Sequence, residues 1–444
     1  MNEYAWPSLM LLALVAGVFS GYPVAFILAG TGIIFAVLAD VPMLFLSMGV
    51  QRIYSGTLTN WLLVAIPLFV FMGLMLERSG IAERLMRSLA SLFRSTPGGY
   101  AFAVAVIGVI MAASTGIIGA SVVMMGMMAL PAMREAKYDM RLASGLIASS
   151  GTLGILLPPS IMLIILGDQM RLSVGDLFLG AIGPGLLLAG LYFVYLAAVA
   201  NFTPHRVPAP PTPERRSFLP TVLALARDLL APALLILSVL GTIVAGVATP
   251  TESAAIGAAG AMLLAFVSRQ LNLGVLREAM YETTKTTAMI VFVMIGASIF
   301  SVVFRRLGGD AMIVDFFDIQ DSNPYWVLFT IMALIFILGF FLDWVEITLV
   351  VVPLVAPVVA LLDFGLRSDQ VMIWFAIALA VNLQTSFLTP PFGYALFYLR
   401  GIASDLPISV IYRGVMPFVL IQITALVLVI LIPAVVLWLP MAAR

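Results

Sequence analysis

Apolar runs separated by short polar punctuation dominate the chain when it is read with a window of about 20 residues, the length a helix needs to cross a bilayer. Runs near 7–21, 23–39, 61–76, 142–167, 176–200, 228–248, 250–267, 287–304, 371–399 and 412–440 each predict one crossing. Two others, 98–131 and 325–357, are too long for one crossing and are interrupted at their middles. The first breaks at Ala113-Ser114-Thr115-Gly116, the second around Phe341-Leu342-Asp343-Trp344. Their halves are short for full crossings, so each run predicts a re-entrant helix–turn–helix hairpin, with two full crossings as the alternative. The runs are continuous rather than alternating, which excludes a β-barrel.

Two of the single crossings carry their own break. Residues 142–167 contain Gly151-Thr152-Leu153-Gly154 followed by Pro158-Pro159-Ser160; residues 371–399 contain Asn382-Leu383-Gln384-Thr385-Ser386 followed by Thr389-Pro390-Pro391. Paired prolines remove backbone donors and clash with the preceding turn. Freed carbonyls in hydrocarbon are tolerated only when buried in protein or lining a polar cavity. Broken segments in corresponding places of two halves point to a transporter's binding site. The residues expected to face a solute are Ser121, Pro158, Pro159, Asn382, Gln384, Pro390 and Pro391.

The halves repeat. Pro23 matches Pro250 at an offset of 227, the 66–73 segment matches 289–296 at 223, Pro131 matches Pro357 at 226, and Pro158-Pro159 matches Pro390-Pro391 at 232. The expected architecture is all-α and polytopic. It has two repeats, 1–200 and 228–444, each with five transmembrane helices (one unwound) and one re-entrant hairpin, joined by a Pro-rich linker at 201–227. Five is odd, so the second repeat must be inverted in the membrane. Stretches 41–58 and 268–286 are equivalent, and read either as amphipathic arms in the interface or as ordinary loops.

Charge tests the inversion. The loops 77–97, 132–141, 201–227, 268–286 and 400–413 hold 16 of the 22 basic residues. That side is expected to be cytoplasmic, which places both termini outside. The opposite side holds only Arg52, Arg171, Arg305, Arg306, Arg367 and Arg444. It also carries Asp310, Asp315, Asp318 and Asp321, a surface on which a basic partner would dock. The N-terminus has no basic residue before its apolar run and does not read as a signal peptide.

Composition narrows the function. Apolar residues make up 62% and charged residues 10% of the 444, against about a quarter charged in soluble proteins. There is no Cys, and His205, the one histidine, lies in the linker. No P-loop, catalytic triad or zinc spacing occurs, so neither an enzyme nor an ATP-driven pump is indicated. The first tip, Ala113 to Ser121, is rich in hydroxyls and glycine and offers neutral oxygens to a hard cation, or alternatively packs helices. Asp343 and Glu346 at the second tip are intramembrane carboxylates; Asp343 would ligate a cation, hold a proton or brace the turn.

Taken together, the segments at 113–121, 141–145, 151–160, 249–252, 341–343 and 384–393 resemble the large membrane subunit of tripartite ATP-independent periplasmic (TRAP) transporters. Trp344 and Glu346 depart from that pattern. The resemblance implies a secondary transporter for a small organic acid in the inner membrane, sodium-coupled and elevator-like. It also implies a separate small four-helix membrane subunit and a periplasmic substrate-binding protein. No cofactor is expected beyond coupling sodium ions. One sodium would use Ser114, Thr115 and Gly116 with Gly151, Thr152 and Gly154; the other, Asp343 with Thr385, Ser386 and Thr389. The alternatives are a stand-alone sodium:anion symporter or sodium:proton exchanger and, from another class, a channel or membrane scaffold.

Overall fold

Prolines and small polar residues set where the helices begin. Thr249 closes a capping box with Glu252 ahead of Pro250, and Asn323 caps a helix opening on Pro324; such caps satisfy donors that a helix start leaves open. Asp139, Ser173 and Asn272 do the same for three other helices. The structure, a computed structural model, describes residues 4–93, 96–116, 118–209, 218–317, 322–391 and 393–443. Among these residues there is no strand, and seven helices are long and apolar enough to cross a membrane.

The element order repeats. In the first half come Ala5–Phe19, Val24–Leu38, Met43–Ile53, Ala65–Arg78 and Ile81–Leu92, then the hairpin Gly99–Thr115/Ile118–Glu135. The broken pair Met140–Thr152/Ile161–Met170 and the long helix Val174–Phe202 complete it. The second half runs Phe218–Val244, Pro250–Val267, Leu273–Arg306 and Gly309–Phe317. It continues with a hairpin from Pro324 to Ala360, the broken pair Ser368–Leu388/Tyr394–Ile402, and Ile408–Leu431.

Packing exchanges partners between halves. Val24–Leu38 lies on Leu273–Arg306, while Ala65–Arg78 lies on Pro250–Val267. These four helices form a scaffold, tied by the Arg78–Glu278 ion pair. Met140–Thr152 lies on Ile408–Leu431, while Val174–Phe202 lies on Ser368–Leu388. With the hairpins these form a second bundle, the core. A Cβ added at Gly145 would sit 2.0 Å from the Gly414 carbonyl oxygen, and one at Gly414 would sit 2.1 Å from that of Arg141. Only glycine permits that backbone contact.

Two expectations differ in detail. The 268–286 stretch is neither loop nor separate arm: from Leu273 it is the start of one 34-residue helix. Its polar turns satisfy themselves helically, with Thr283 and Thr284 hydroxyls donating to carbonyls four residues back. The equivalent 41–58 stretch, by contrast, is a separate helical arm, Met43–Ile53, closed by a π-turn at Tyr54–Leu58. The last run, 412–440, bends after Leu431, where Pro433 cannot continue the helix.

Candidate functional site

The first break unwinds less than its composition predicts. The helix holds through Gly151 and Thr152, tightens to a 3₁₀ turn at Leu153–Ile155 with Gly154 at its centre, and only 156–160 is non-helical. The Pro158-Pro159 bond is cis and both residues are buried. Ser160 Oγ donates to the Ile155 carbonyl at 2.6 Å, satisfying an acceptor that the prolines strand. The first hairpin turns at Gly116, whose φ of +60° lies in the left-handed region that costs an L-residue about 1–2 kcal/mol. A Cβ on Gly116 would lie 3.6 Å from Ile161, and one on Gly154 would lie 3.4 Å from the Ala112 carbonyl oxygen. Tip and break therefore touch. Ser121 is buried on the second arm of the hairpin. The side chains of Ser114 and Thr115 lie outside the described residues.

In the second half the helix Ser368–Leu388 runs through Asn382, Gln384, Thr385 and Ser386, so these are helical rather than unwound. The break is confined to residues after Leu388, because Pro390 restrains only its immediate predecessor and its own turn. The hydroxyls return their protons to the helix: Thr385 to Val381 at 2.8 Å, Ser386 to Leu383 at 2.8 Å, Thr389 to Thr385 at 2.7 Å. Each hydroxyl oxygen keeps lone pairs facing away from that bond. Asn382 Nδ2 donates to the Met332 carbonyl at 2.9 Å and pins the second hairpin to the broken helix. A Cβ on Gly339 would meet Ser386 Oγ at 2.2 Å, and Tyr394 donates its hydroxyl to the Phe341 carbonyl at 3.1 Å. The Pro390-Pro391 bond is cis, and Tyr412 donates to the Pro391 carbonyl at 2.7 Å.

Asp343 and Glu346 close a capping box. The Asp343 carboxylate accepts from Trp344 N at 2.8 Å, and Glu346 accepts from Asp343 N at 3.1 Å. Both carboxylates thus brace the turn. Among the described residues no group of three His, Cys, Asp or Glu stands ready for a metal.

Behind the two breaks lies a buried polar knot. Gln422 Nε2 donates to the Tyr192 hydroxyl at 2.8 Å and approaches Thr152 Oγ1 at 3.4 Å. Ser149 and Gln384 face the same phenol, and neither amide atom of Gln384 completes a hydrogen bond among the described residues. Thr152 and Gln384 share the 232-residue offset of the proline pairs.

Two cavities follow one another along the scaffold helix Leu273–Arg306. One, about 670 Å³, lies where both tips meet the scaffold, between Ile118, Gly119, Asp343–Glu346, Tyr394 and Tyr398 on one side and Lys285 to Val293 on the other. Such a volume is in the range of small-molecule sites. Lys285 gives it a cation that no hairpin or broken helix supplies. None of Ser121, Pro158, Pro159, Asn382, Gln384, Pro390 or Pro391 lines it. Lys285 and the two tyrosines join the site only through packing; the position of Lys285 as the last charged residue before the apolar run 287–304 was the available signal. The second cavity, about 280 Å³, lies further along, beside Met294 to Ser301.

Of the acidic docking candidates, Asp310 stands 3.6 Å from Arg305 and Asp315 accepts from the Tyr4 hydroxyl. Asp318 and Asp321 lie outside the described residues.

The family model described as "Tripartite ATP-independent periplasmic transporter, DctM component" matches residues 11–435. The chain is 30% identical over 385 residues to a C4-dicarboxylate TRAP transporter large permease protein of Pseudomonas aeruginosa, covering 86% of this chain and 87% of that one. It is 29% identical over 423 residues to a sialic acid TRAP large permease of Vibrio cholerae, 95% of each chain. An ectoine/5-hydroxyectoine TRAP large permease of Ruegeria pomeroyi is 31% identical over 437 residues, 97% and 94% of the two chains. In fold, the YdaH transporter of Alcanivorax borkumensis matches with a TM-score of 0.59 over 98% of both chains at 16% identity.

Proposed function

This chain belongs to the DctM-component family of tripartite ATP-independent periplasmic transporters, and we propose that it carries a small organic acid across the inner membrane by a sodium-coupled, elevator-type movement. It is a multi-pass membrane transport protein. The observation that carries the proposal is the 670 Å³ cavity at which both hairpin tips face the scaffold and Lys285. A solute there touches the core through the tips and the scaffold through one basic side chain, so sliding the core would carry the solute with it. Lys285 supplies the charge partner for a carboxylate. Sodium would sit behind each tip on carbonyls and hydroxyls: Ser114, Thr115 and Gly116 with Gly151, Thr152 and Gly154, and the Asp343 tip with Thr385, Ser386 and Thr389.

The excess of basic residues in the loops of one side supports an orientation with that side in the cytoplasm and both termini in the periplasm. The TRAP relatives carry the expectation of two partners, a small four-helix membrane subunit and a periplasmic binding protein. We place the docking of the latter on the outer acidic face around Asp310, Asp315, Asp318 and Asp321, with an on-rate that falls as salt rises.

The test is uptake into proteoliposomes holding this chain, its small subunit and loaded binding protein, with and without an inward sodium gradient. Accumulation that needs all three proteins and sodium is the expected result. Full uptake by this chain alone would replace the reading with a stand-alone sodium:anion symporter or exchanger; flux without saturation or sodium dependence would replace it with a channel.

A further inference from the structure

The smaller cavity, about 280 Å³, lies on the seam between scaffold and core. Three observations converge there. Both π-turns among the described residues border it: Tyr54–Leu58 supplies Ser55 to Thr57, and Ile347–Val351 supplies Leu349. Single π-turns inside helices concentrate at functional sites. Arg52, from the scaffold arm, and Arg171, from the end of the first broken helix, both line it, and neither forms an ion pair among the described residues. Ser301, buried on the scaffold helix, lines it with an oxygen that has no hydrogen-bond partner there.

Charge at the site is unbalanced toward positive. Arg305 borders the adjoining pocket with Arg52 and Arg171 and is paired with Asp310 at 3.6 Å. Asp168 also lines the cavity, and its carboxylate is engaged by Asn60 Nδ2 at 2.6 Å and Gln169 Nε2 at 2.9 Å. Burial, then the charges of Arg305 and Arg171, lower the Arg52 pKa, while Asp310 opposes them. Like charges held together with an idle hydroxyl fit an absent counter-charge. The planar guanidinium fork matches a carboxylate bidentately.

We propose that this seam cavity is a second anion site, in which Arg52 and Arg171 hold the carboxylate of an organic acid before it reaches the hairpin tips. The site bridges the two bundles, since Arg52 belongs to the scaffold and Arg171 to the core. The identity of the anion as transported solute rests on the function proposed above; the existence of the site does not.

The experiment is arginine footprinting of the purified chain in lipid nanodiscs. Phenylglyoxal modification of Arg52 and Arg171 is followed by mass spectrometry with acetate, succinate or gluconate, against chloride and sulfate at matched ionic strength. Arg413, on the far side, is the internal control. At least one carboxylate should slow modification of both arginines, by about tenfold at ten times its Kd, and leave Arg413 unchanged. Protection by none of the carboxylates, or equal protection by chloride and sulfate, overturns the site. Arg52→Gln and Arg171→Gln should each raise the KM for uptake more than they lower kcat; a pure loss of kcat overturns the delivery role. The footprint needs neither sodium nor partners, so failed transport with positive footprints refutes the proposed function alone. Intact transport with negative footprints refutes the site alone.

Discussion

The two hairpin tips solve one problem by different chemistry. The first reverses the chain on Gly116, using backbone freedom and no charge. The second reverses it at Asp343, whose carboxylate and that of Glu346 accept the open backbone donors of the next helix. A free carboxylate in a membrane demands explanation; here the turn itself gives most of one. The difference teaches that charge at the second tip is no measure of its affinity for a cation. What the tips share is a neighbouring broken helix that presents hydroxyls and carbonyls, and that shared feature is where coupling ions are expected.

The comparison breaks completely if the tips do not enter from opposite faces. In cysteine-labelling experiments, Ala209→Cys should react only with reagent on the cytoplasmic side and Ser322→Cys only with reagent on the periplasmic side. Reaction of both from one side removes the inverted repeat.

The next largest effect separates the tips by their anchoring. Asn382→Ala removes the amide that donates to the Met332 carbonyl, a second bond on a carbonyl already paired within its helix, and should cost about 0.5–1.5 kcal/mol, read as a lowered Tm and faster proteolysis within 324–360. Protease sensitivity rising instead around 99–135 would show that the hairpins are not separately pinned.

Third, the turn chemistry can be exchanged. Gly116→Ala should cost about 1–2 kcal/mol, the penalty of a left-handed L-residue. Asp343→Ala should cost about 1 kcal/mol, whereas Asp343→Asn, itself a good cap, should cost nearly nothing. If Asp343→Asn keeps its stability but loses sodium dependence of uptake, the carboxylate is a ligand and the capping account is incomplete.

The smallest effects test what the tips share. Thr115→Val and Thr385→Val each remove one oxygen and should raise the sodium concentration for half-maximal uptake several-fold, with little change in Tm. Unchanged sodium dependence in both would leave the paired sites without support.

Most of the architecture was legible because the bilayer makes its demands locally. Runs of about 20 apolar residues, paired prolines and interrupted long runs are patterns within a single segment. The extent of unwinding was not legible. Asn382 to Ser386 read as broken because polar groups in hydrocarbon need partners, yet their hydroxyls found carbonyls three or four residues back inside an intact helix. The polar start of Leu273–Arg306 misled for the same reason. The cavity linings were beyond reach, since Lys285, Tyr394, Arg52 and Arg171 converge only through packing between distant segments. Neither π-turn has a periodic signature.

Thr152 faces Gln422, which faces Tyr192, and Gln384 points at the same phenol. By position, Thr152 answers to Gln384 and Tyr192 to Gln422. A protein grown by doubling one half would begin with positions 192 and 422 holding the same residue and facing each other. Two identical side chains facing each other must share one reach and one geometry, whereas the longer Gln422 amide has two N–H donors and spans both the Tyr192 and the Thr152 oxygens. If the halves arose by duplication, this seam should drift in contacting pairs: a change at Tyr192 or at Thr152 invites one at Gln422. Such an ancestry would be written less in the repeated prolines than in the places where the two halves were obliged to disagree.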